Sequence, residues 1–172
     1  MDAPIIVISG LAYSGSSTLA KDLSKLLRWD LILAGERFRK YCNEHRLNYN
    51  IAKQIPDDVH RYLDNKLILE MQTSTQTIFE GRIAIWLASN IPHALRVWCQ
   101  VDIKTRITRC IHREGLSRGE SVKLVRNRDR SDSEAYETLY NIKLEQIPNG
   151  VLVVNAGVPV EDCIKAIVQS LT

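Results

Sequence analysis

Gly10-Leu11-Ala12-Tyr13-Ser14-Gly15-Ser16-Ser17-Thr18 follows directly on the apolar, β-branched run 4–9 and leads into a segment where Leu19, Leu23, Leu26 and Leu27 recur at helical spacing. A glycine-bearing turn between a buried strand and an amphipathic helix is the setting in which phosphate-binding loops occur. Gly10 and Gly15 would let backbone N–H groups come close to phosphate oxygens, and the helix N-terminus would add its partial positive charge. The Ser17 hydroxyl stands where such loops ligate Mg²⁺. The pattern GxxxxGK[ST] is broken at one place, because Ser16 occupies the lysine position. Losing one transition-state donor typically costs ~10² to 10³ in rate, roughly 2.7 to 4 kcal/mol. A working enzyme would therefore need another cation to supply the missing charge.

Outward from the loop, short apolar runs recur at 30–34, 77–80, 95–101 and 151–155, each non-alternating as in strands buried on both faces. Segments with helical period separate them. Val59, Leu63, Leu67 and Met71 mark one, and Ile103, Ile107, Cys110 and Ile111 mark another, with Asp102 as its N-cap. Val160, Ile164, Ile167 and Leu171 mark the last. Strand and helix in alternation predict an α/β fold, a single domain over 1–172 with a parallel five-stranded sheet flanked by helices. The stretches 35–76 and 102–150 are longer than one crossover needs and are expected to carry extra helices and function.

The bulk composition agrees with one globular domain: 172 residues, 45% hydrophobic and 25% charged. A net charge of +3 is too small to argue for nucleic acid or a membrane surface as partner. The N-terminal apolar run is far shorter than the ~20 residues a bilayer requires and lacks a basic segment ahead of it. Cys42, Cys99, Cys110 and Cys163 are scattered without a CxxC pair. Both features suggest reduced thiols and a cytoplasmic location. Cys42 and His45 would share a helical face, but two ligands do not make a metal site, and packing is the reading adopted.

Two further strand ends carry phosphate chemistry. The second leads into Ala34-Gly35-Glu36-Arg37-Phe38-Arg39 and the third into Glu80-Gly81-Arg82, at the carboxyl edge where open α/β sheets bind ligands. Arginine there can grip a phosphate bidentately, and the lesser alternative is a surface ion pair of Arg82 with Glu80. Between 104 and 130 the chain collects Arg106, Arg109, Arg113, Arg118, Lys123, Arg126 and Arg128 against Glu114, Glu120 and Asp129. Gly115-Leu116-Ser117-Arg118-Gly119 reads as a hinged tip between two helices that could close arginines over a polyphosphate. Arg126, Arg128 and Arg130 are the candidates for the catalytic cations of such a lid, since Arg126 and Arg130 share one helical face.

These separated motifs together resemble the archaeal-type cytidylate kinases, a branch of the nucleoside monophosphate kinases, through nearly the whole chain. The resemblance rests on 9–18, on Ala34-Gly35-Glu36 with Phe38-Arg39, and on Glu80-Gly81-Arg82 with Ala84 and Trp86. Arg113-Glu114-Gly115, 128–134, Tyr136 and Tyr140 extend it. It implies a P-loop fold with a helical monophosphate-binding insert over 34–76 and a lid region over 113–130. It implies ATP and Mg²⁺ as cofactors, and CMP or dCMP as acceptor. ATP would lie on residues 10–18. The acceptor would lie on Gly35, Arg39, Asp64, Gly81, Arg82 and Arg113. Some members carry threonine in place of the loop lysine, which makes Ser16 a variant of the pattern. Leu33 stands where the family has serine, and Tyr13 where it has a small residue. Two rival readings stay open: a nucleotide-binding protein without turnover, and a P-loop kinase for another small acceptor. No nucleic-acid or membrane partner is expected, and oligomeric state is not legible.

Overall fold

The computed structural model describes residues 4–47 and 55–171. Five parallel strands form one sheet in the order β2-β3-β1-β4-β5. They are β1 (Ile5–Gly10), β2 (Asp30–Leu33), β3 (Thr77–Glu80), β4 (Ala94–Gln100) and β5 (Leu152–Asn155). Every expected apolar run is a strand, displaced by a residue at most at its ends. The helices are α1 (Ser16–Leu27), α2 (Ala34–Glu44), α3 (Asp57–Thr73), α4 (Ala84–Leu87), α5 (Ile103–Glu114), α6 (Arg118–Tyr140) and α7 (Val160–Gln169).

The central strand β1 is buried on both faces, which is why its sequence does not alternate. Ile6 and Ile8 pack with Leu19 and Leu23 of α1 and Ile167 of α7 on one side. Ile5 and Val7 pack with Leu67 and Met71 of α3 and Ile85 of α4 on the other. Leu26, expected in the α1 stripe, is 61% exposed. The buried stripe of α1 runs through Leu19, Ala20 and Leu23, and position 26 falls outside it. The short α4, which no periodicity announced, fills the brief crossover from β3 to β4.

The long stretch after β4 forms two helices, α5 and α6. Asp102 caps α5 by accepting from the Thr105 N–H at 2.9 Å, and Gly115 ends it in the left-handed region at φ 67°. Two residues later Ser117 and Glu120 form a reciprocal capping box that starts α6. The segment 115–117 is thus a tight turn between strongly capped helices, and Arg118 and Gly119 belong to α6. Between β2 and β3 lie α2 and α3; residues 48–54 of the expected insert fall outside the described residues. Among the described residues no helix is long and apolar enough to cross a membrane.

Candidate active site

The loop after β1 adopts the shape that close phosphate approach requires. A Cβ on Gly10 would collide with Ser14 Oγ, and Gly15 sits at φ 92°, which a side chain would strain. Tyr13 also takes the left-handed conformation, at φ 63°. Its ring is held by the small cluster of Ile107, Cys110 and Val125 between α5 and α6. Its hydroxyl donates to Glu114 at 3.1 Å, and the Arg113 guanidinium lies over the ring at 5.7 Å. Burial, with the Cys110 thiol and the Glu114 carboxylate beside it, raises the Tyr13 phenol above its ordinary range.

Ser16, at the lysine position, is 7% exposed and donates from Oγ to Glu80 Oε1 at 2.7 Å. Glu80 therefore pairs with the loop and not with Arg82. Arg82 reaches two other partners, donating to the Gly10 carbonyl at 2.6 Å and to Asp132 at 2.9 Å. Asp132 lies on α6 and also takes Arg128 at 3.5 Å. Ser9 Oγ donates to the Gly81 carbonyl at 2.6 Å and accepts from the Ile85 N–H, fixing the end of β3 against β1.

Three arginines grip alternate carbonyls of the phosphate loop. Arg82 takes Gly10, Arg106 takes Ala12 at 3.2 Å, and Arg109 takes Ser14 at 2.6 Å. Arg106 is 4% exposed and forms a two-bond pair with Asp129 at 2.8 and 2.6 Å. Arg109 also donates to the Ala156 carbonyl at 2.5 Å. Neither Arg106 nor Arg109 was among the candidate site residues. Their three-residue spacing on an amphipathic helix was the available signal.

One large cleft of about 1310 Å³ joins these parts. Residues 11–18 line it, together with Gly35, Arg39, Asp64, Gly81, Arg82, Arg109, Arg113 and Arg128. Gly10 lies just beneath, at the end of β1. On the far wall Phe38 stacks on His60 at 5.1 Å, and outside the cleft Arg37 pairs with Glu70 between α2 and α3. Tyr140 at the end of α6 donates to Asp64 Oδ2 at 2.6 Å. Burial raises the Asp64 carboxyl above the ordinary carboxylate range, while the Tyr140 bond and His60 act to lower it. Arg126 and Arg130 do not line the cleft; both are exposed, and Arg130 bonds Asn127 at 3.1 Å.

Among the described residues no cluster of three His, Cys, Asp or Glu side chains could hold a metal ion by itself. All four cysteines are unpaired and buried, as packing residues would be.

Residues 35–157 match the cytidylate kinase-like family. The cytidylate kinase of Thermococcus kodakarensis is 29% identical over 169 residues, covering 96% of this chain and 86% of the relative. That of Natronomonas pharaonis is 31% identical over 174 residues, covering 96% and 88%. An uncharacterized protein from Eubacterium ventriosum superposes with a TM-score of 0.77 at 16% identity, covering 98% of both chains. A gluconokinase from Sinorhizobium meliloti superposes with a TM-score of 0.62 at 13% identity, covering 98% and 91%. These two structures share the fold.

Proposed function

The chain belongs to the cytidylate kinase-like family, and from that premise we propose that it transfers the γ-phosphoryl group of ATP to CMP or dCMP. The observation that carries this reading is the single cleft in which the phosphate loop faces Arg39, Arg82 and Asp64 across a shared floor. Phosphoryl transfer needs donor and acceptor in line in one water-poor space, since positioning and charge stabilisation do most of the work.

In this reading ATP lies on residues 10–18, with its phosphates against the loop N–H groups and the N-terminus of α1. Mg²⁺ takes few protein ligands and keeps waters and substrate phosphates as the rest. The exposed Ser17 hydroxyl, with the Glu80 carboxylate on the neighbouring strand end, fits that donor set. Mg²⁺ would supply charge neutralisation on the phosphates. An oxygen of the acceptor monophosphate attacks the γ phosphorus, the bond to the β-phosphate oxygen breaks, and ADP leaves without a covalent enzyme intermediate. Arg39 and Arg82 hold the acceptor phosphate, Gly35 and Gly81 leave room for it, and Arg113 and Arg128 approach from the α5–α6 side. Asp64, half-buried and fixed by Tyr140, is suited to accept from the exocyclic amine of a cytosine ring. The names of the relatives support this choice of base.

An ADP-release assay across a panel of nucleoside monophosphates tests the reading. Turnover with CMP and dCMP, well above that with UMP, AMP or GMP, is expected. ATP binding without turnover on any acceptor would overturn it in favour of a binding protein. Turnover confined to a sugar or another metabolite alcohol would overturn it in favour of a different kinase.

A further inference from the structure

We infer that Arg109 is the cation that stands in for the missing loop lysine, acting on the phosphates through the Ser14–Gly15 peptide. The inference rests on the reading of residues 10–18 as the triphosphate site. A lysine at position 16 would place one positive charge at the β and γ phosphates. Ser16 cannot do so, and its hydroxyl is already committed to Glu80.

Three guanidinium groups donate to carbonyls of the loop, but they are not equivalent. Arg82 is neutralised by Asp132, and Arg106 by Asp129. Arg109 has no ion-pair partner among the described residues, so its charge is uncompensated. Two carbonyl oxygens, of Ser14 and Ala156, fix its position. It lines the cleft, with Nη1 3.2 Å from where a Cβ on Gly15 would stand, so the bare glycine backbone is what lets it come so close.

The carbonyl of Ser14 and the N–H of Gly15 belong to one planar peptide and point in opposite directions. A guanidinium on the carbonyl polarises the unit and makes the opposite N–H a stronger donor. No protein acceptor takes the Gly15 N–H among the described residues. Arg106 polarises the Ala12–Tyr13 peptide in the same way, but its charge is cancelled by Asp129. Of these three, Arg109 alone adds both a polarised donor and a net positive charge, on the two residues that precede the position where lysine is lacking. Arg109 is thus a positioning residue for the triphosphate.

The experiment is a double-mutant cycle in the full-length chain on Arg109→Met and Ser16→Lys, with Arg109→Lys as the conservative variant. Steady-state rates with Mg²⁺-ATP and CMP are read beside thermal melts and affinities for ATP, ADP and inorganic tripolyphosphate. Arg109→Met should lower kcat by ~10² to 10³, weaken tripolyphosphate and ATP alike, and leave a cooperative melt. Arg109→Lys should keep part of the rate. Ser16→Lys should restore at least tenfold in the Arg109→Met background, a larger gain than any it brings to the wild type. Failure of Ser16→Lys to rescue a folded Arg109→Met variant would overturn the inference. Loss of ATP affinity with tripolyphosphate affinity unchanged would also overturn it, by assigning Arg109 to the nucleoside. If Arg109→Met does not fold, Arg109→Gln carries the same cycle. Wild-type turnover is measured separately with the acceptor panel, so failure of the kinase reading is not confused with failure of the Arg109 assignment.

Discussion

Helices α5 and α6 are both rich in arginine, and they use it in opposite ways. On α5, Arg106, Arg109 and Arg113 are spaced three and four apart and reach Ala12, Ser14 and Tyr13 of the phosphate loop in turn. On α6, the dense run Arg126-Asn127-Arg128-Asp129-Arg130 turns Arg126 and Arg130 to solvent. Two carboxylates of α6 point the other way: Asp129 meets Arg106 and Asp132 meets Arg82. One helix delivers cations to the loop, and the other delivers anions that hold two of the loop's arginines, Arg106 of α5 and Arg82 beyond β3. Local charge density therefore says little about which arginines serve a site. Helical spacing relative to a neighbouring element says more.

The sharpest way to break this comparison is to remove Arg106, which joins both helices to the loop. Arg106→Met leaves Asp129 without its partner and the Ala12 carbonyl without its donor. Breaking a buried pair by removing one member costs about 3 to 5 kcal/mol. Asp129 retains some solvent access, its side chain being 27% exposed, so the lower end of that range is expected in urea unfolding. Adding Asp129→Leu should recover much of the stability without restoring the Ala12 contact. A stable Arg106→Met single variant would show that α5 and α6 are joined mainly by their apolar cluster.

A smaller effect separates the arginines of α6 from one another. Arg128→Ala should lower kcat more than it raises KM, because Arg128 lines the cleft and shares Asp132 with Arg82. The double variant Arg126→Ala/Arg130→Ala should stay near the wild-type kcat. A large fall in kcat for that double variant would mean that α6 rotates or closes in the working complex, bringing its outer face to the phosphates.

The sheet and the phosphate loop were legible because their signals are local. The run 4–9 is apolar without alternation, Gly10 and Gly15 flank the turn, and Asp102 precedes a periodic segment. Arg39, Arg82, Asp64 and Arg113 all reach the cleft suggested by their motifs. What was not legible depends on contacts between distant segments. The alternative pairing of Glu80 with Arg82 drew on their being two residues apart, a spacing that shares a face only while a strand continues; β3 ends at Glu80, Arg82 lies in the turn beyond it, and Glu80 meets Ser16 across 64 positions. Arg109 meets Ser14 across 95 positions; its spacing from Arg106 puts the two on one face of α5 but does not say which element that face meets. Asp132 sat inside a motif but carried no assigned partner until β3 and α6 were seen together.

The smallest expected effect concerns the far end of α6, where the helix again contributes through something other than arginine. Tyr140 donates to Asp64, whose carboxyl is raised by burial above its ordinary value near 3.8. A folded state that holds this proton more tightly than the unfolded chain gains stability from it at low pH. That gain is fully present below the unfolded value and is lost as pH rises through the higher folded one. Asp64→Asn removes the titration while keeping an oxygen that Tyr140 can bond. Melting profiles of the two proteins should therefore lie close together at pH 4 and separate toward pH 7, with the Asn variant the more stable. The acceptor should respond in the opposite direction, since a neutral amide is a weaker acceptor for an amine than a carboxylate. Calorimetric titration with CMP at pH 7 should show weaker binding to Asp64→Asn, with ATP binding unchanged. Parallel melting profiles at every pH would mean that the carboxyl titrates alike in the folded and unfolded chains. Unchanged CMP affinity would remove Asp64 from the acceptor site and leave Tyr140 with a structural role in closing α6 onto α3.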